Sequence, residues 1–182
     1  MTRSNVRHRA AQVLATIVLF LAMLWLNDWL FRWLEFAPRV NYVYLPAGMR
    51  LLCTLLFAED GAIGLLIVSC AVNFLYFFPD DFERAFVGGT VSTAAPYLVY
   101  LMARRFWRLD PLLRNLTPRH LLLLALAYAL AHAVLLNLWF VLRGQHDLLG
   151  GFAAMAIGDL TGTLIVLYAL KGVLAVVPRT TR

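Results

Sequence analysis

Residues 121–142 read LLLLALAYALAHAVLLNLWFVL, and this stretch decides the class of protein. It contains no Asp, Glu, Lys or Arg, and it exceeds the roughly 20 residues that a helix needs to cross the hydrocarbon core of a bilayer. Comparable apolar runs recur from residue 13 to residue 177. The sequence therefore predicts an all-α, polytopic membrane helix bundle.

The composition supports one integral membrane domain over residues 1–182. Of the 182 residues, 62% are hydrophobic and the mean hydropathy is +0.76, whereas soluble domains are about 45–50% apolar. The net charge of +6 comes from Lys and Arg at the ends of apolar runs, not from a basic stripe with interleaved aromatics. We therefore expect the lipid bilayer as partner, and no nucleic acid.

The apolar runs predict six transmembrane helices after a basic tail at residues 1–12. Their approximate bounds are 13–34, 42–57, 62–78, 86–103, 121–142 and 149–177. No small-residue cleavage site follows the first run, so we interpret it as an uncleaved helix and not as a signal peptide. The sequence Glu59-Asp60-Gly61 predicts a tight turn between the second and third helices.

The distribution of basic residues predicts the orientation. With the N-terminus inside, eleven of the 16 Lys and Arg residues fall on the inner side and four fall on the outer side, while Arg50 lies within an apolar run. The four outer residues are Arg32, Arg39, Arg84 and Arg143. The positive-inside rule then places both termini in the cytoplasm of a bacterial inner membrane.

Ionisable residues at membrane depth need an explanation, because each costs roughly 2.5–3.5 kcal/mol on insertion scales. Arg50, His132 and Asp159 lie near the middle of predicted helices, and uncharged polar residues join them toward the outer half. We expect a polar cavity that opens toward the periplasm. The candidate ligand-binding residues are Arg50, Asn73, Thr90, Ser92, His132, Asn137 and Asp159.

Two other interpretations of this polar layer stay open. Arg50 and Asp159 can form an internal salt bridge while the other groups make interhelical hydrogen bonds, or the layer can conduct protons or ions. Ser92, His132 and Asp159 are residue types of a hydrolase triad, but Ser92 lies outside any nucleophile elbow. We therefore predict no catalytic residue and no enzyme.

The histidines and cysteines do not predict a metal site or a cofactor. His8, His120, His132 and His146 are scattered over both sides and the middle of the bundle. The two cysteines lie inside apolar runs without metal-ligand spacing.

Small residues recur at helical spacing in two of the predicted helices. Gly158 and Gly162 share one face of the sixth helix, and Ala125, Ala129 and Ala133 share one face of the fifth. This spacing lets helix backbones approach closely. We predict tight packing within the bundle, with a homodimer contact as the alternative.

Several motifs, in order along residues 40 to 170, resemble the membrane-associated sensor domain family of the first MASE type. They are Tyr44-Leu45-Pro46-Ala47-Gly48, Gly61-Ala62-Ile63-Gly64, Gly88-Gly89-Thr90 and Gly158-Asp159-Leu160-Thr161-Gly162. The resemblance implies a membrane sensor that usually has about eight helices and precedes a cytoplasmic kinase or cyclase domain. Because the sequence ends at Arg182, we expect a signal to pass to a separate partner.

A weaker resemblance points to transport. The motif Pro46-Ala47-Gly48-Met49-Arg50, followed by Gly61 and Gly64, is similar to S components of energy-coupling-factor vitamin transporters. Those have six helices and an outward-facing pocket, and the alanine face at residues 125–133 could contact their partner subunit. The sequence thus leaves three hypotheses: a sensor-like ligand-binding module, a substrate-binding transport subunit, and a purely structural membrane protein.

Overall fold

A computed structural model describes residues 3–37, 40–110, 112–144 and 149–176. A 3-10 turn, Arg32–Leu34, follows the first helix, and a π-helical turn, Asn73–Phe77, follows the second. The helices in the described residues are α1 (Arg3–Phe31), α2 (Leu45–Val72), α3 (Phe82–Phe106), α4 (Pro118–Leu142) and α5 (Leu149–Val176). The predicted all-α class is confirmed, with one small addition: strands β1 (Glu35–Ala37) and β2 (Val40–Asn41) pair antiparallel.

Five helical segments within the described ranges are long and apolar enough to cross a membrane. They are Asn5–Leu34, Leu45–Phe77, Phe82–Phe106, Pro118–Leu142 and Leu149–Val173. This finding confirms a polytopic membrane helix bundle. The difference from the six predicted helices arises in α2, which joins the second and third of them.

The first part of α2, residues 45–57, runs antiparallel to α1. The Leu45 backbone N–H donates to Asn27 Oδ1 at 2.8 Å, near the end of α1. Further along α2, the Arg50 guanidinium lies over the Phe20 ring at 5.2 Å, closer to the start of α1. The contacts therefore move backward along α1 as this arm advances.

The second part of α2, residues 59–72, runs parallel to α1. Near the start of both segments, Arg9 pairs with Asp60 at 2.8 Å. Beyond the end of this arm, the Tyr76 hydroxyl donates to Asp28 at 2.9 Å. Because the two arms contact α1 in opposite directions, α2 is a hairpin, and its reversal lies at Ala58, whose φ of 48° and ψ of −116° are not helical.

The reversal differs from the predicted turn at Glu59-Asp60-Gly61, because these three residues are helical. Gly61 serves packing instead, since a Cβ at this position would overlap the Cys53 carbonyl of the other arm. The missing side chain lets the two arms approach closely right after the reversal.

Several helices start at residues that differ from the approximate predicted bounds. Residues 3–12, predicted as a tail, belong to α1, and the helix predicted from residue 42 starts at Leu45, with proline in its first turn. The helix predicted from residue 86 starts at Phe82, because Asp81 caps it by accepting from the Arg84 N–H at 2.9 Å. Thr117 caps α4 in the same way, ahead of the predicted start at residue 121. Residue 177, the predicted end of the last helix, lies outside the described residues.

The non-helical backbone of residues 41–44 packs directly on α5. The Tyr44 N–H donates to Gly158 O at 3.0 Å, and Thr161 Oγ1 donates to Tyr42 O at 2.7 Å. A Cβ at Gly158 or Gly162 would overlap this backbone. The predicted tight packing of the glycine pair within the bundle is confirmed, and it satisfies non-helical backbone that lipid could not satisfy.

The main apolar core extends from the middle of the bundle to the end that carries residues 104–119. It includes Leu51 and Leu55 of α2, Val99 of α3, and Leu124 and Tyr128 of α4. The alanine face of α4, Ala125, Ala129 and Ala133, is also buried within the chain. These alanines therefore pack inside this chain, and the surface that the transport hypothesis assigned to a partner is not exposed.

Candidate functional site

A half-enclosed cavity of about 270 Å³ lies at the other end of the bundle. At this end the π-helical turn after α2, the start of α3, the end of α4 and the start of α5 meet. The cavity reaches inward to Arg50 on the first arm of α2 and to Asp159 on α5. We call it the polar cavity.

Six of the seven predicted ligand-binding residues line the polar cavity. They are Arg50, Asn73, Ser92, His132, Asn137 and Asp159, all buried in the fold. Thr90 is not among the lining residues, and its hydroxyl donates to Phe86 O at 2.8 Å within its own helix. The sequence pattern thus placed one polar layer across five predicted helices, and in the structure most of these residues line one cavity.

His132 links three helices through hydrogen bonds. Its Nδ1 lies 2.5 Å from Asp159 Oδ2 on α5, and its Nε2 lies 3.3 Å from the Ser92 hydroxyl on α3. A neutral imidazole that donates Nδ1–H to the carboxylate keeps Nε2 as acceptor for the hydroxyl. The two bonds therefore fix the orientation of His132, and for a neutral ring they favour the tautomer with the hydrogen on Nδ1.

Arg50 does not form the salt bridge with Asp159 that the sequence left open as one alternative, because Asp159 pairs with His132. The Asp159 carboxylate lies against His132, whereas the Arg50 guanidinium lies over the Phe20 and Tyr44 rings at 5.2 and 5.3 Å. Arg50 is only 3% exposed, and its Nε has no hydrogen-bond partner in the described structure. Its rotation on the first arm of α2 aims it at aromatic faces and the cavity.

Asn73 and Asn137 line the cavity, and each has one amide hydrogen bond to its own helical segment. Asn73 Nδ2 donates to Ser69 O at 2.7 Å, and Asn137 Nδ2 donates to Ala133 O at 2.8 Å. Each side chain thus uses a donor on its own helix. Gly88 makes room for the Asn73 amide, because a Cβ at Gly88 would lie 2.8 Å from Asn73 Oδ1.

The sequence pattern missed Arg84 and the aromatic wall of the cavity. Arg84, treated at first only as an outer-side charge, lines the cavity with its guanidinium over Phe78 at 4.3 Å and Phe140 at 5.5 Å. Tyr44 and Trp139 also line it. A signal existed, because Arg84 follows a run of aromatic residues that ends at Phe78, but its inward position depends on the early start of α3.

The Ser92–His132–Asp159 order matches a hydrolase triad in its hydrogen bonds. Ser92 nevertheless lies inside α3, where helical backbone amides already bond along the helix. Such amides do not supply the paired donors of an oxyanion hole. Among the described residues, no three His, Cys, Asp or Glu side chains are grouped to hold a metal ion. The arrangement is suited to hydrogen bonding and to ion binding.

Taken together, the fold and the cavity define a multi-pass membrane module with a polar site at one end of a helix bundle. The model of the MASE1 family matches residues 11–171, so the chain belongs to this family of membrane-associated sensor domains. The first resemblance seen in the sequence is confirmed, and the comparisons give no support to the second, with S components. No curated protein and no solved structure matches the chain significantly.

Proposed function

We propose that this MASE1 domain crosses a bacterial inner membrane six times, with both termini in the cytoplasm. The α2 hairpin supports two crossings by the segment Leu45–Phe77. Residues 45–57 rise about 20 Å as a helix, and the non-helical residues 41–44 supply the remainder of the roughly 30 Å of a bilayer core. The charge distribution supports a cavity end that faces the periplasm.

The proposed function is recognition of a small ligand in the polar cavity. The single observation that carries it is the concentration of buried polar groups around an open volume of about 270 Å³. Several lining residues have a buried polar atom without a hydrogen-bond partner in the described structure, including Arg50 Nε, Asn41 Oδ1 and Arg84 Nε. Unsatisfied buried polar atoms cost about 1–3 kcal/mol each, so their retention needs a reason outside folding. A ligand supplies the missing partners.

The bonds of His132 provide a route for transmission. Ser92, His132 and Asp159 join α3, α4 and α5, and these helices extend from the cavity to the opposite end of the bundle. A ligand that competes for one of these bonds favours a different relative position of the helices. We propose that a separate signalling partner reads this change at the cytoplasmic end.

We propose that the site binds a ligand and catalyses no reaction. A fluorophosphonate probe tests the absence of serine hydrolase activity. A serine that His132 activates would react covalently with the probe. We expect no labelling of Ser92 in the intact protein. Labelling that disappears in Ser92→Ala and in His132→Gln would show a hydrolase and overturn this part of the proposal.

Ligand screening by thermal unfolding tests the binding function. The protein in zwitterionic lipid nanodiscs is screened against amino acids, vitamins, nucleobases and small organic acids. We expect at least one compound to raise the unfolding temperature in proportion to its concentration.

A matched pair of glycine substitutions on α5 locates the binding. Gly151 lines the cavity and Gly172 lies beyond it, and a Cβ at either position meets no atom within 4 Å. Gly151→Leu should fill the cavity and abolish the ligand's effect, while Gly172→Leu should preserve it. A broad screen without any stabilising compound, or equal ligand effects in both variants, would contradict the proposed site.

A further inference from the structure

The charges around the polar cavity do not balance. Arg50 and Arg84 both line it, while Asp159 is its only acidic lining residue among those described. The Asp159 carboxylate is already engaged by His132 at 2.5 Å. Neither arginine forms an ion pair within the described part of the chain. At least one positive charge in the cavity is therefore left without an anion.

Arg50 is the more buried of the two arginines that carry this excess positive charge. It is 3% exposed, and aromatic rings at 5.2 and 5.3 Å cover faces of its guanidinium. Cation–π contacts stabilise the charge by about 0.5–2 kcal/mol, but they supply no acceptor for the N–H groups at the edge of the plane. Among the described residues, its Nε is buried without a hydrogen-bond partner. A buried guanidinium in this state is expensive in a membrane unless something binds that edge.

Arg84 repeats the arrangement nearer the end of the bundle. Its guanidinium lies over Phe78 and Phe140, and its Nε is likewise buried without a partner among the described groups. The neighbouring pair, Arg143 with Glu83, shows the alternative, because there an arginine at the same end is neutralised by a carboxylate. Arg84 instead lines the cavity and has no carboxylate partner among the described residues.

A guanidinium edge has a fixed fork of donors that matches the oxygens of a carboxylate or a phosphate. We propose that the polar cavity binds a small organic oxyanion, a carboxylate or a phosphate ester, through Arg50 and Arg84, with its apolar body against Phe77 and Trp139. The volume of about 270 Å³ limits the ligand to a compact molecule, because typical ligand sites span about 300–1,000 Å³. This inference rests on the proposed binding function and names the chemistry of its ligand.

Calorimetric titration of the full chain in phosphatidylcholine nanodiscs tests the oxyanion. The probes are phenyl phosphate and benzoate, with benzamide as the neutral probe of matched shape. We expect both anions to bind and benzamide to bind at least tenfold more weakly. Equal binding of benzamide and benzoate would overturn the oxyanion while leaving the proposed binding function intact, whereas absence of any ligand in the broad screen would overturn both.

Arginine variants identify the groups responsible. Arg84→Gln should weaken the binding of phenyl phosphate about 10- to 100-fold, because it removes charge-assisted hydrogen bonds. Arg104→Gln is the matched control, since Arg104 is on the same helix and lies over Tyr100 at 5.8 Å, away from the cavity. Arg50→Gln should act like Arg84→Gln, and the Arg84 result stands if Arg50→Gln does not fold. Unchanged affinity in Arg84→Gln would contradict the assignment.

The oxyanion can come from a soluble molecule or from a lipid headgroup, and the lipid composition of the discs distinguishes them. If the source is soluble, added phosphatidylglycerol leaves the affinity for phenyl phosphate unchanged. If it is a lipid, phosphatidylglycerol raises the unfolding temperature of the wild type but not of Arg84→Gln, and it competes with phenyl phosphate. Both results support the binding of an oxyanion in the cavity. Equal stabilisation of the wild type and Arg84→Gln by phosphatidylglycerol, together with no binding of phenyl phosphate, would overturn this proposal.

Discussion

At the cavity end of the bundle, Arg50 and Asp159 are each 3% exposed, and Arg50 has no ionic partner among the described residues. At the opposite end, Asp60 pairs with the half-exposed Arg9, and the core between the helices consists of leucine, valine, alanine and tyrosine side chains. Both ends hold the same helices together. Among the described residues the apolar end has no buried charge, so helix packing there does not depend on one, and the cost of the buried charges at the cavity end points to function.

The largest effect is expected from separating His132 and Asp159. Removal of one partner leaves the other buried and unsatisfied, so Asp159→Leu and His132→Leu should each lower the free energy of unfolding by about 3 kcal/mol. The double variant should lose clearly less than the sum, measured by detergent-driven unfolding in mixed micelles. The pair Arg50→Leu and Asp159→Leu is the comparison, with nearly additive losses expected. Strong coupling in that second pair would restore the salt bridge that the sequence suggested.

Alanine substitutions of the glycines in α5 should have different effects on stability at the two ends of this helix. A methyl group at Gly158 or Gly162 meets the backbone of residues 41–44, so alanine there should destabilise the protein by about 1–3 kcal/mol. Gly172, toward the other end, has open space, and Gly172→Ala should stabilise it by up to about 1 kcal/mol. Equal effects at the three positions in the same unfolding assay would argue against the packing of residues 41–44 on α5.

At the reversal of α2, exchanges between glycine and alanine should change the free energy of unfolding with the opposite sign from that expected in a straight helix. Ala58 has the φ and ψ of a turn position that glycine dominates, so Ala58→Gly should stabilise the protein by about 1 kcal/mol. Gly61→Ala should destabilise it by about 1–3 kcal/mol, because the methyl group meets the Cys53 carbonyl. In a continuous helix both signs would be inverted. The signs of the two unfolding changes therefore decide between five and six crossings.

The smallest effect is expected at the apolar end. Arg9 and Asp60 form a partly exposed ion pair, and such pairs contribute about 0–1 kcal/mol. Asp60→Asn should therefore change the free energy of unfolding by less than about 1 kcal/mol. A loss as large as that of Asp159→Leu would remove the contrast between the two ends.

The helices and the polar layer could be predicted from the sequence because both depend on composition along one segment. Apolar runs fix where helices lie, and polar residues such as Asn73 and Asp159 interrupt those runs whatever their partners are. The partners depend on helix rotation, which the spacing of residues within one run does not determine. His132, not Arg50, therefore faces Asp159, although both lie at a suitable depth.

Other features depend on contacts between distant segments. Arg84 enters the cavity because Asp81 caps α3 earlier than hydropathy indicates. The non-helical residues 41–44 are stable inside the bundle because Gly158 and Thr161 of α5 form hydrogen bonds with their backbone. Neither contact can be predicted from a single stretch of sequence. The glycines that make room for these contacts can be recognised in the sequence.

Thiol accessibility tests the central claim, that the buried polar groups surround a cavity open to the periplasm. Ser92 and Thr93 are adjacent and both buried, but only Ser92 lines the cavity. Each is replaced by cysteine in a Cys53→Ala, Cys70→Ala background, and intact cells are treated with a membrane-impermeant methanethiosulfonate that carries a sulfonate. We predict rapid modification of Ser92→Cys and none of Thr93→Cys. Equal modification of both, or protection of both, would contradict the cavity.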